Sequence, residues 1–183
     1  ADAVLLFTDA TVASALAPVA DRIGAARIAL DGSDAGRPFS DWLAPAGAQP
    51  EPVAVEPDWP FNIIYSSGTT GTPKGIVQPH GMCWGHVRRG ANQEFGPGAV
   101  TLLSTPLYSN TTLVPFFQTI ALGGTVVLMS KFDAAGYLAL AERHRVTHTT
   151  LVPVQYQRIM ALPDFDRYDL SSFRYKFSTS APF

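Results

Sequence analysis

An α/β fold with mainly parallel sheets and flanking helices is predicted by three features of the sequence. Short apolar runs rich in valine, isoleucine and leucine alternate with stretches of about ten to fifteen residues that have helical spacing. Strand and helix signals alternate along the chain, which is typical of βαβ units with a parallel sheet. Glycine and proline mark the changes, as at Gly123-Gly124 and Pro153.

Residues 1–44 are predicted to form one βαβ part of a larger N-terminal domain. Asp9, with Thr8 before it, is suited to cap the helix, and Gly24 is suited to end it. The expected elements are strands over Ala3–Phe7 and Arg27–Leu30, a helix over Val12–Ile23, and a helical turn over Phe39–Leu43.

Residues 45–60 are rich in alanine, proline and glutamate and are predicted to be an exposed connection. Residues 61–183 then form a second α/β subdomain, expected to be truncated at its C-terminus. Its predicted strands cover Phe61–Ile64 (buried), Val100–Ser104, Thr125–Met129, Thr149–Val152 and Phe173–Ser178. Its predicted helices cover His80–Phe95 (Met82, Trp84 and Val87 inward), Thr111–Leu122, Asp133–Arg145 (Tyr137, Leu138 and Ala141 on one face) and Pro153–Ala161.

Composition excludes several classes of protein. The formal net charge is −2, which gives no argument for nucleic-acid binding. Charged residues make up 15% of the chain, below the usual quarter, so part of the surface is expected to be covered by chain or partner outside this sequence. The single cysteine, Cys83, fits a reducing cytoplasm, and no apolar run reaches the length of a membrane span. The chain starts without methionine in an apolar run, so we expect a fragment.

The stretch Tyr65–Gly75 reads Y-S-S-G-T-T-G-T-P-K-G and is predicted to bind phosphate. Its small residues expose backbone N–H groups and hydroxyls around a concavity, its glycines let a ligand approach the backbone closely, and Lys74 adds a positive charge. Neither the Walker A motif nor the dinucleotide motif G-x-G-x-x-G is present. A flexible linker is disfavoured, because the stretch follows a predicted strand and ends in Pro73-Lys74-Gly75.

This stretch resembles the signature loop of the adenylate-forming enzymes, which include acyl-CoA synthetases, adenylation domains and luciferases. That loop usually reads [Y/F]-T-S-G-[ST]-T-G-x-P-K-G, and here Ser66 replaces the usual threonine. Three later segments, Ala121–Asp133, Arg145–Val154 and Tyr168–Arg174, resemble acyl-CoA synthetases more than amino-acid adenylation domains. The similarity extends from about Asn62 to the C-terminus.

The resemblance implies a reaction in which a carboxylate attacks the α-phosphorus of ATP while the loop holds the β- and γ-phosphates. The product is an acyl-adenylate, from which a thiol, usually coenzyme A, displaces AMP. Catalysis would rest on positioning and charge stabilisation, shared with Mg²⁺. Lys74 and Thr69 are the implied catalytic residues. The implied phosphate-binding residues are Ser66, Ser67, Gly68, Thr69, Thr70, Gly71, Thr72, Pro73 and Lys74.

Two departures from the family pattern concern the substrate side. The family often has histidine in P-x-[FY]-H near the substrate carboxylate, and Ser109 stands there in this chain. An ordinary helix-capping role for Ser109 is an equal alternative. The family's G-G-A-P element, which lies beside the adenine and the acyl pocket, is represented by Thr179, Ser180, Ala181 and Pro182.

Other chemically interesting residues are expected to be structural. His144 and His148 have a spacing that could bind zinc on one helix, but a turn is predicted between them, so packing or surface roles are favoured and no metal site is assigned. The remaining expectations are a structural role at a helix start for His80, a buried apolar role for Cys83, a solvated helix face for Arg88-Arg89, and core or acyl-pocket walls for Phe116, Phe117 and Tyr156.

The functional hypothesis is a piece of an ATP-dependent carboxylate–CoA ligase. The family's adenine, ribose and hinge elements and its C-terminal catalytic lysine are not present in this sequence, so the isolated chain is expected to be inactive. The apolar run Leu113–Phe117 favours a fatty or aryl acid over an amino acid. The alternatives are a non-catalytic nucleotide-binding module and an adenylation domain that loads a carrier protein.

Overall fold

The structure, a computed structural model, describes residues 3–66 and 73–180, apart from the side chain of Ser66. The chain divides into two compact units, Ala1–Val53 and Ala54–Phe183. Residues 41–60 are exposed throughout. The boundaries 1–44, 45–60 and 61–183 stay predictions. In the part of the chain that the structure describes, no helix is both long enough and apolar enough to span a membrane.

The first unit is a small parallel sheet with a helical crossover. Strands β1 (Leu5–Thr8), β2 (Ala26–Ala29) and β3 (Arg37–Pro38) pair in parallel in that order. Helix α1 (Ala10–Leu16) continues into a 3₁₀ helix, Ala17–Arg22, and α2 (Phe39–Trp42) follows β3. The Asp9 carboxylate accepts a hydrogen bond of 2.7 Å from the amide of Val12, as expected of the cap. The predicted helix is shorter than expected because Pro18 stands at the start of the 3₁₀ segment.

The second unit contains a strand hairpin, a four-stranded sheet and four helices within its described residues. The elements are β4 (Pro60–Ser66), β5 (Lys74–Pro79), α3 (His80–Ala91), β6 (Val100–Leu103), α4 (Asn110–Ala121), β7 (Thr125–Leu128), α5 (Ala134–Arg143), β8 (His148–Leu151), α6 (Pro153–Met160) and β9 (Tyr175–Ser178), with a 3₁₀ turn at Phe165–Arg167.

The four-stranded sheet has the order β7-β6-β8-β9, and all its pairs are parallel. Leu102 on β6 and Leu151 on β8 are completely buried in the central strands. The predicted inward face of α5 is confirmed, because Tyr137, Leu138 and Ala141 are all buried in the same apolar cluster as Leu102. The Asp133 carboxylate caps this helix through a bond of 2.6 Å from the amide of Gly136. The predicted α/β class with mainly parallel sheets is therefore confirmed.

The hairpin β4–β5 departs from two predictions. Phe61–Ile64 does form a strand, but it is not buried, since Phe61 and Ile63 are exposed. Its antiparallel partner, β5, was not predicted. The apolar part of β5 is short and directly follows a glycine-rich stretch, and the strand forms because it pairs with β4. The register joins Tyr65 to Gly75 and Ser66 to Lys74.

Helix α3 is shorter than predicted, and two of its apolar residues point outward. It ends at Ala91, capped by Asn92, and the positive φ of 57° at Glu94 is incompatible with its continuation. Val87 is buried as expected, whereas Met82 and Trp84 are exposed. Met82 lines a cleft, and Trp84 lies beside the aromatic cluster of Phe61, Phe116 and Phe117. Neither side chain is therefore part of the buried core.

Candidate active site

The predicted phosphate loop is the connection of the β4–β5 hairpin. The pairing of Ser66 with Lys74 closes the base of that connection, and Pro73 and Lys74 are exposed at its exit. The predictions for Ser67, Gly68, Thr69, Thr70, Gly71 and Thr72, and for the side chain of Ser66, lie outside the described residues. The structure thus describes the strands that carry the loop, with Lys74 as the first residue of β5.

Strand β5 connects the loop to a cleft. Side chains two residues apart in a strand share one face, so Lys74, Ile76 and Gln78 lie on the same face of β5. Ile76 and Gln78 line the cleft. Gln78 is buried, and its Nε2 donates a bond of 2.8 Å to Oδ1 of Asn110 at the start of α4. The Lys74 side chain therefore leaves β5 on the same face as these two cleft residues, and it is exposed.

The carboxyl edge of the parallel sheet brings the predicted substrate residues together. Strands β6, β8 and β9 end at the same edge because they are parallel. Ser109, which follows β6, is the N-cap of α4, and its Oγ accepts a bond of 3.3 Å from the amide of Thr111. The hydroxyls of Thr111 and Ser180 are 3.0 Å apart, although 69 positions separate them in sequence. The capping alternative for Ser109 is confirmed, and Ala181 and Pro182 lie outside the described residues.

The cleft itself lies between α3 and α4 and is closed by residues of β5, β8 and β9. Its volume is about 720 Å³, which falls in the range of small-molecule sites. Its walls combine apolar side chains with amides and hydroxyls. The lining residues are Ile76, Gln78, Met82, His86, Arg89, Gln93, Asn110, Thr111, Val114, Pro115, Gln118, Thr150, Phe177, Ser178, Thr179 and Ser180. The predicted residues Thr179 and Ser180 therefore line the same cleft as the exit strand of the loop.

One end of the cleft is formed by polar groups that join α3 to α4. The Nε2 of Gln118 donates to the carbonyl of His86 at 3.0 Å and to Oε1 of Gln93 at 3.2 Å. Gly90 lies against Gln118, and a Cβ at this glycine would come within 3.0 Å of the Gln118 Cγ. Burial, together with the Arg89 guanidinium, lowers the pKa of His86, which favours the neutral form of its imidazole.

His148 contacts this end of the cleft through the backbone of Gln93. Its Nε2 donates to the carbonyl of Gln93 at 2.8 Å, and the Thr147 hydroxyl lies 2.6 Å from its Nδ1. The ring also stacks on Tyr175 with centroids 5.3 Å apart. Burial lowers the pKa of His148, which favours the neutral ring that these contacts require. The expected packing role of His148 is confirmed, whereas His144 is exposed at the end of α5.

The remaining aromatic candidates lie outside this cleft. Phe117 packs on Phe61 at 5.4 Å, and Phe61 packs on His80 at 5.0 Å, so His80 has the expected structural role at the start of α3. Cys83 is only half-buried in this cluster, and its pKa is raised by burial. Tyr156 lines a different cavity of about 780 Å³, between the sheet and α5 and α6. Arg88 and Arg89 are exposed, as expected, but Arg89 also lines the cleft and contacts the His86 ring.

Comparison with known proteins identifies the class to which this fold and cleft belong. Residues 1–183 match the AMP-binding enzyme family, so the chain belongs to that family. The predicted resemblance to adenylate-forming, acyl-CoA-synthetase-like enzymes is confirmed by this match.

Individual relatives agree with the family. The chain is 37% identical over 153 residues to 4-coumarate–CoA ligase 2 of Oryza sativa subsp. japonica, covering 79% of this chain and 27% of the relative. It is 34% identical over 142 residues to a feruloyl-CoA synthase of Amycolatopsis sp, covering 76% and 29%. The amide bond synthetase McbA of Marinactinospora thermotolerans superposes with a TM-score of 0.80 at 27% identity, covering 97% of this chain and 35% of that structure. The chain thus spans less than a third of the length of the two curated relatives and about a third of that structure.

Several cleft residues were not anticipated from the sequence. Gln78, Gln93, Asn110 and Gln118 come from three different segments, namely β5, the turn after α3, and α4, and no local motif connects them. The available signal was Gln118, which directly follows the apolar run Leu113–Phe117 of α4 and needs a partner for its amide where it is buried.

Proposed function

We propose that this chain is part of an ATP-dependent carboxylate–CoA ligase that forms an acyl-adenylate and transfers the acyl group to CoA. The observation that carries the proposal is the continuity of β5, which starts at Lys74 and continues as the cleft wall at Ile76 and Gln78. In an extended strand Lys74 and Ile76 are separated by about 7 Å. A phosphate held at the loop exit would therefore be adjacent to an acid held in the cleft.

The proposal gives the loop and the residues at the carboxyl edge of the sheet separate roles. The Lys74 ammonium group balances the charge that develops on the departing pyrophosphate. The carboxylate of the acid lies beside Thr111 and Ser180, whose hydroxyls are 3.0 Å apart. Ser109 holds the first turn of α4 in position through its cap, in place of a direct contact with the acid. The loop residues Ser66–Thr72, including Thr69, are proposed to bind the β- and γ-phosphates.

Mg²⁺ is part of the proposal as an ion that accompanies ATP. Among residues 3–66 and 73–180, no group of three or more His, Cys, Asp or Glu side chains is arranged to hold a metal ion. No step is therefore assigned to Mg²⁺ through these residues.

An aryl acid is the proposed substrate class, in preference to a fatty acid. Both curated relatives above are named for aryl acids, coumarate and ferulate. The cleft provides flat apolar walls at Pro115 and Phe177 together with polar groups, a combination that suits an aromatic ring better than a long alkyl chain. The same names support CoA over a carrier protein as the acceptor. Cys83 is a free thiol, which fits the proposed cytoplasmic location.

Carboxylate-dependent exchange of labelled pyrophosphate into ATP tests the proposal. The full-length protein and the isolated 183-residue chain are assayed with aryl, short and long-chain acids, and CoA thioester formation is measured separately. We expect aryl-acid-dependent exchange and thioester formation by the full-length protein, and neither by the isolated chain. ATP binding without exchange by the full-length protein would favour the non-catalytic module, and exchange without thioester formation would favour carrier loading.

A further inference from the structure

We propose that Gln78 and Asn110 are positioning residues, which align the phosphate loop with the acid for the attack of the carboxylate on ATP. This inference rests on the proposed function, because that function places phosphate at the loop exit and the acid beside Thr111 and Ser180. Neither residue of the pair needs to touch a reacting atom. Both act through the elements that they join, β5 and α4.

The contact between the two side chains is short, buried and long-range in sequence. The Nε2 of Gln78 donates a hydrogen bond of 2.8 Å to Oδ1 of Asn110, and 32 positions separate the two residues. Gln78 is only 4% exposed. A glutamine buried to this extent needs a partner for its amide, and a hydrogen bond restrains direction as well as distance. The bond therefore restrains both the position and the orientation of β5 against the start of α4.

Each residue of the pair is continuous in sequence with one part of the proposed reaction site. Gln78 is four residues after Lys74 in β5, a distance of about 13 Å along an extended strand. Asn110 is the first residue of α4 and directly precedes Thr111, whose hydroxyl is 3.0 Å from that of Ser180. A single side-chain hydrogen bond thus connects the strand that leaves the loop to the helix that carries Thr111.

Apolar packing restrains the loop strand less than this bond does. Ile76 and Val77, which lie between Lys74 and Gln78, are 48% and 52% exposed. A second contact of the hairpin with α4 joins the rings of Phe61 and Phe117, with centroids 5.4 Å apart, but aromatic pairs tolerate several relative geometries. The alignment of β5 with α4 should therefore depend on the amide pair.

A third amide, that of Asn62, lies beside the pair. Asn62 is directly opposite Gln78 in the antiparallel register, so the two side chains share one face of the hairpin, with Cβ atoms about 4.5–5.5 Å apart. Within the described residues, the Oδ1 of Asn62 is buried and has no hydrogen-bond partner. Such an acceptor lowers stability, which indicates a role in activity. The second N–H of Gln78 is assigned to this oxygen when the loop holds phosphate.

A double-mutant cycle of Gln78→Leu and Asn110→Ala in the full-length protein tests the inference. Each single variant should lower kcat for pyrophosphate exchange at least about tenfold, because small misplacements of reacting groups have effects of this size. The double variant should lose little more than either single variant, since the same contact is removed in all three. The Kd for ATP and the KM for the acid should change by less than about twofold. Transfer of the acyl group from supplied acyl-adenylate to CoA should keep its wild-type rate, because pyrophosphate has already left.

Two further variants separate positioning from a purely structural role. Gln155→Leu is the matched control, because Gln155 is also buried, at 6% exposure, and donates a hydrogen bond of 3.3 Å to Oγ of Ser104. It should lower stability and retain the wild-type kcat. Asn62→Leu removes a buried acceptor without a partner, so its thermal midpoint should equal or exceed that of the wild type while its kcat falls.

The possible outcomes distinguish this inference from the ligase proposal. Wild-type kcat in Gln78→Leu and Asn110→Ala, fully additive losses in the cycle, or an equal loss of kcat in Gln155→Leu would overturn the inference and leave the ligase proposal intact. A wild-type kcat in Asn62→Leu would overturn the part assigned to Asn62. Absence of exchange by the wild type with every acid would overturn the ligase proposal and this inference together.

Discussion

The two sheets of the second unit use similar residues in opposite ways. In the parallel sheet, Leu102 and Leu151 are 0% exposed. In the hairpin, Ile63 and Ile76 are 50% and 48% exposed. Both sheets are rich in branched aliphatic residues, so composition alone does not separate the scaffold from the strands that carry the loop.

This difference in burial indicates that the two sheets have different roles. The parallel sheet is covered by α5 and α6 on the side of Leu102 and Leu151 and carries the residues at its carboxyl edge. The hairpin is joined to this scaffold at Gln78, which bonds to Asn110. Stability should therefore depend on the parallel sheet, and phosphate chemistry on the hairpin.

The largest effect should come from a core truncation in the parallel sheet. Leu102→Ala should destabilise the second unit by about 2–5 kcal/mol, because it removes a fully buried side chain and leaves a cavity. Val77→Ala in the hairpin should cost less than about 1 kcal/mol, since Val77 is exposed. Urea-dependent hydrogen exchange of the β6 and β8 amides in the full-length protein measures both. Equal losses in the two variants would remove the distinction between the sheets.

Substitution at the loop exit should lower activity and leave stability unchanged. Lys74→Ala should lower pyrophosphate exchange on the order of 10²-fold, since a charge that stabilises the departing pyrophosphate is removed. Its amide protection should match that of the wild type. Arg143→Ala, at the exposed end of α5, is the charge control and should retain full exchange activity. A wild-type rate for Lys74→Ala would contradict the assigned role.

A smaller effect is expected from the helix caps of the scaffold. Asp133→Ala should cost about 1 kcal/mol, because the carboxylate caps α5 through the Gly136 amide at 2.6 Å. Asp164 precedes the 3₁₀ turn without a side-chain capping bond, so Asp164→Ala should have less effect. Thermal unfolding of the two variants provides the comparison, and equal shifts would argue against the cap.

The smallest effect should be a pH dependence at His148. Burial lowers the pKa of this imidazole in the folded state below its unfolded value of about 6.5. The unfolded chain therefore binds the proton first as the pH falls. Stability should be complete above about pH 6.5 and should decline as the pH falls through the folded-state pKa.

Thermal midpoints of the wild type between pH 7.5 and 5.5 measure this decline, and His148→Gln should reduce it. A titration of the His148 ring by NMR with a midpoint above 6.5 would contradict the assignment of a neutral buried ring.

The sequence predicted the parallel sheet well because its signals are local. Asp133 stands directly before a helical pattern, and Tyr137, Leu138 and Ala141 follow helical spacing. Strands β6, β7 and β8 contain β-branched or apolar residues and have glycine or proline nearby, whereas β9 alternates Tyr175 and Phe177 with polar residues. Propensity and burial favour the same structure in each case, so no tertiary information is needed.

The hairpin and the cleft could be predicted only in part. The composition of Tyr65–Gly75 indicates a phosphate loop, but the strand form of β5 depends on pairing with β4. The outward position of Trp84 depends on the aromatic cluster around Phe61. Gln93 and Gln118 are 25 positions apart, and their meeting depends on how α3 packs on α4, which no local pattern encodes.

A crystal structure of the full-length protein with a non-hydrolysable analogue of an aryl-acyl-adenylate tests the central claim most directly. We predict that the acyl group lies between α3 and α4, with the atoms that replace the carboxyl–phosphate linkage near Thr111 and Ser180. An acyl group in the aromatic cavity lined by Tyr137 and Tyr156, on the α5–α6 side of the sheet, would contradict the account.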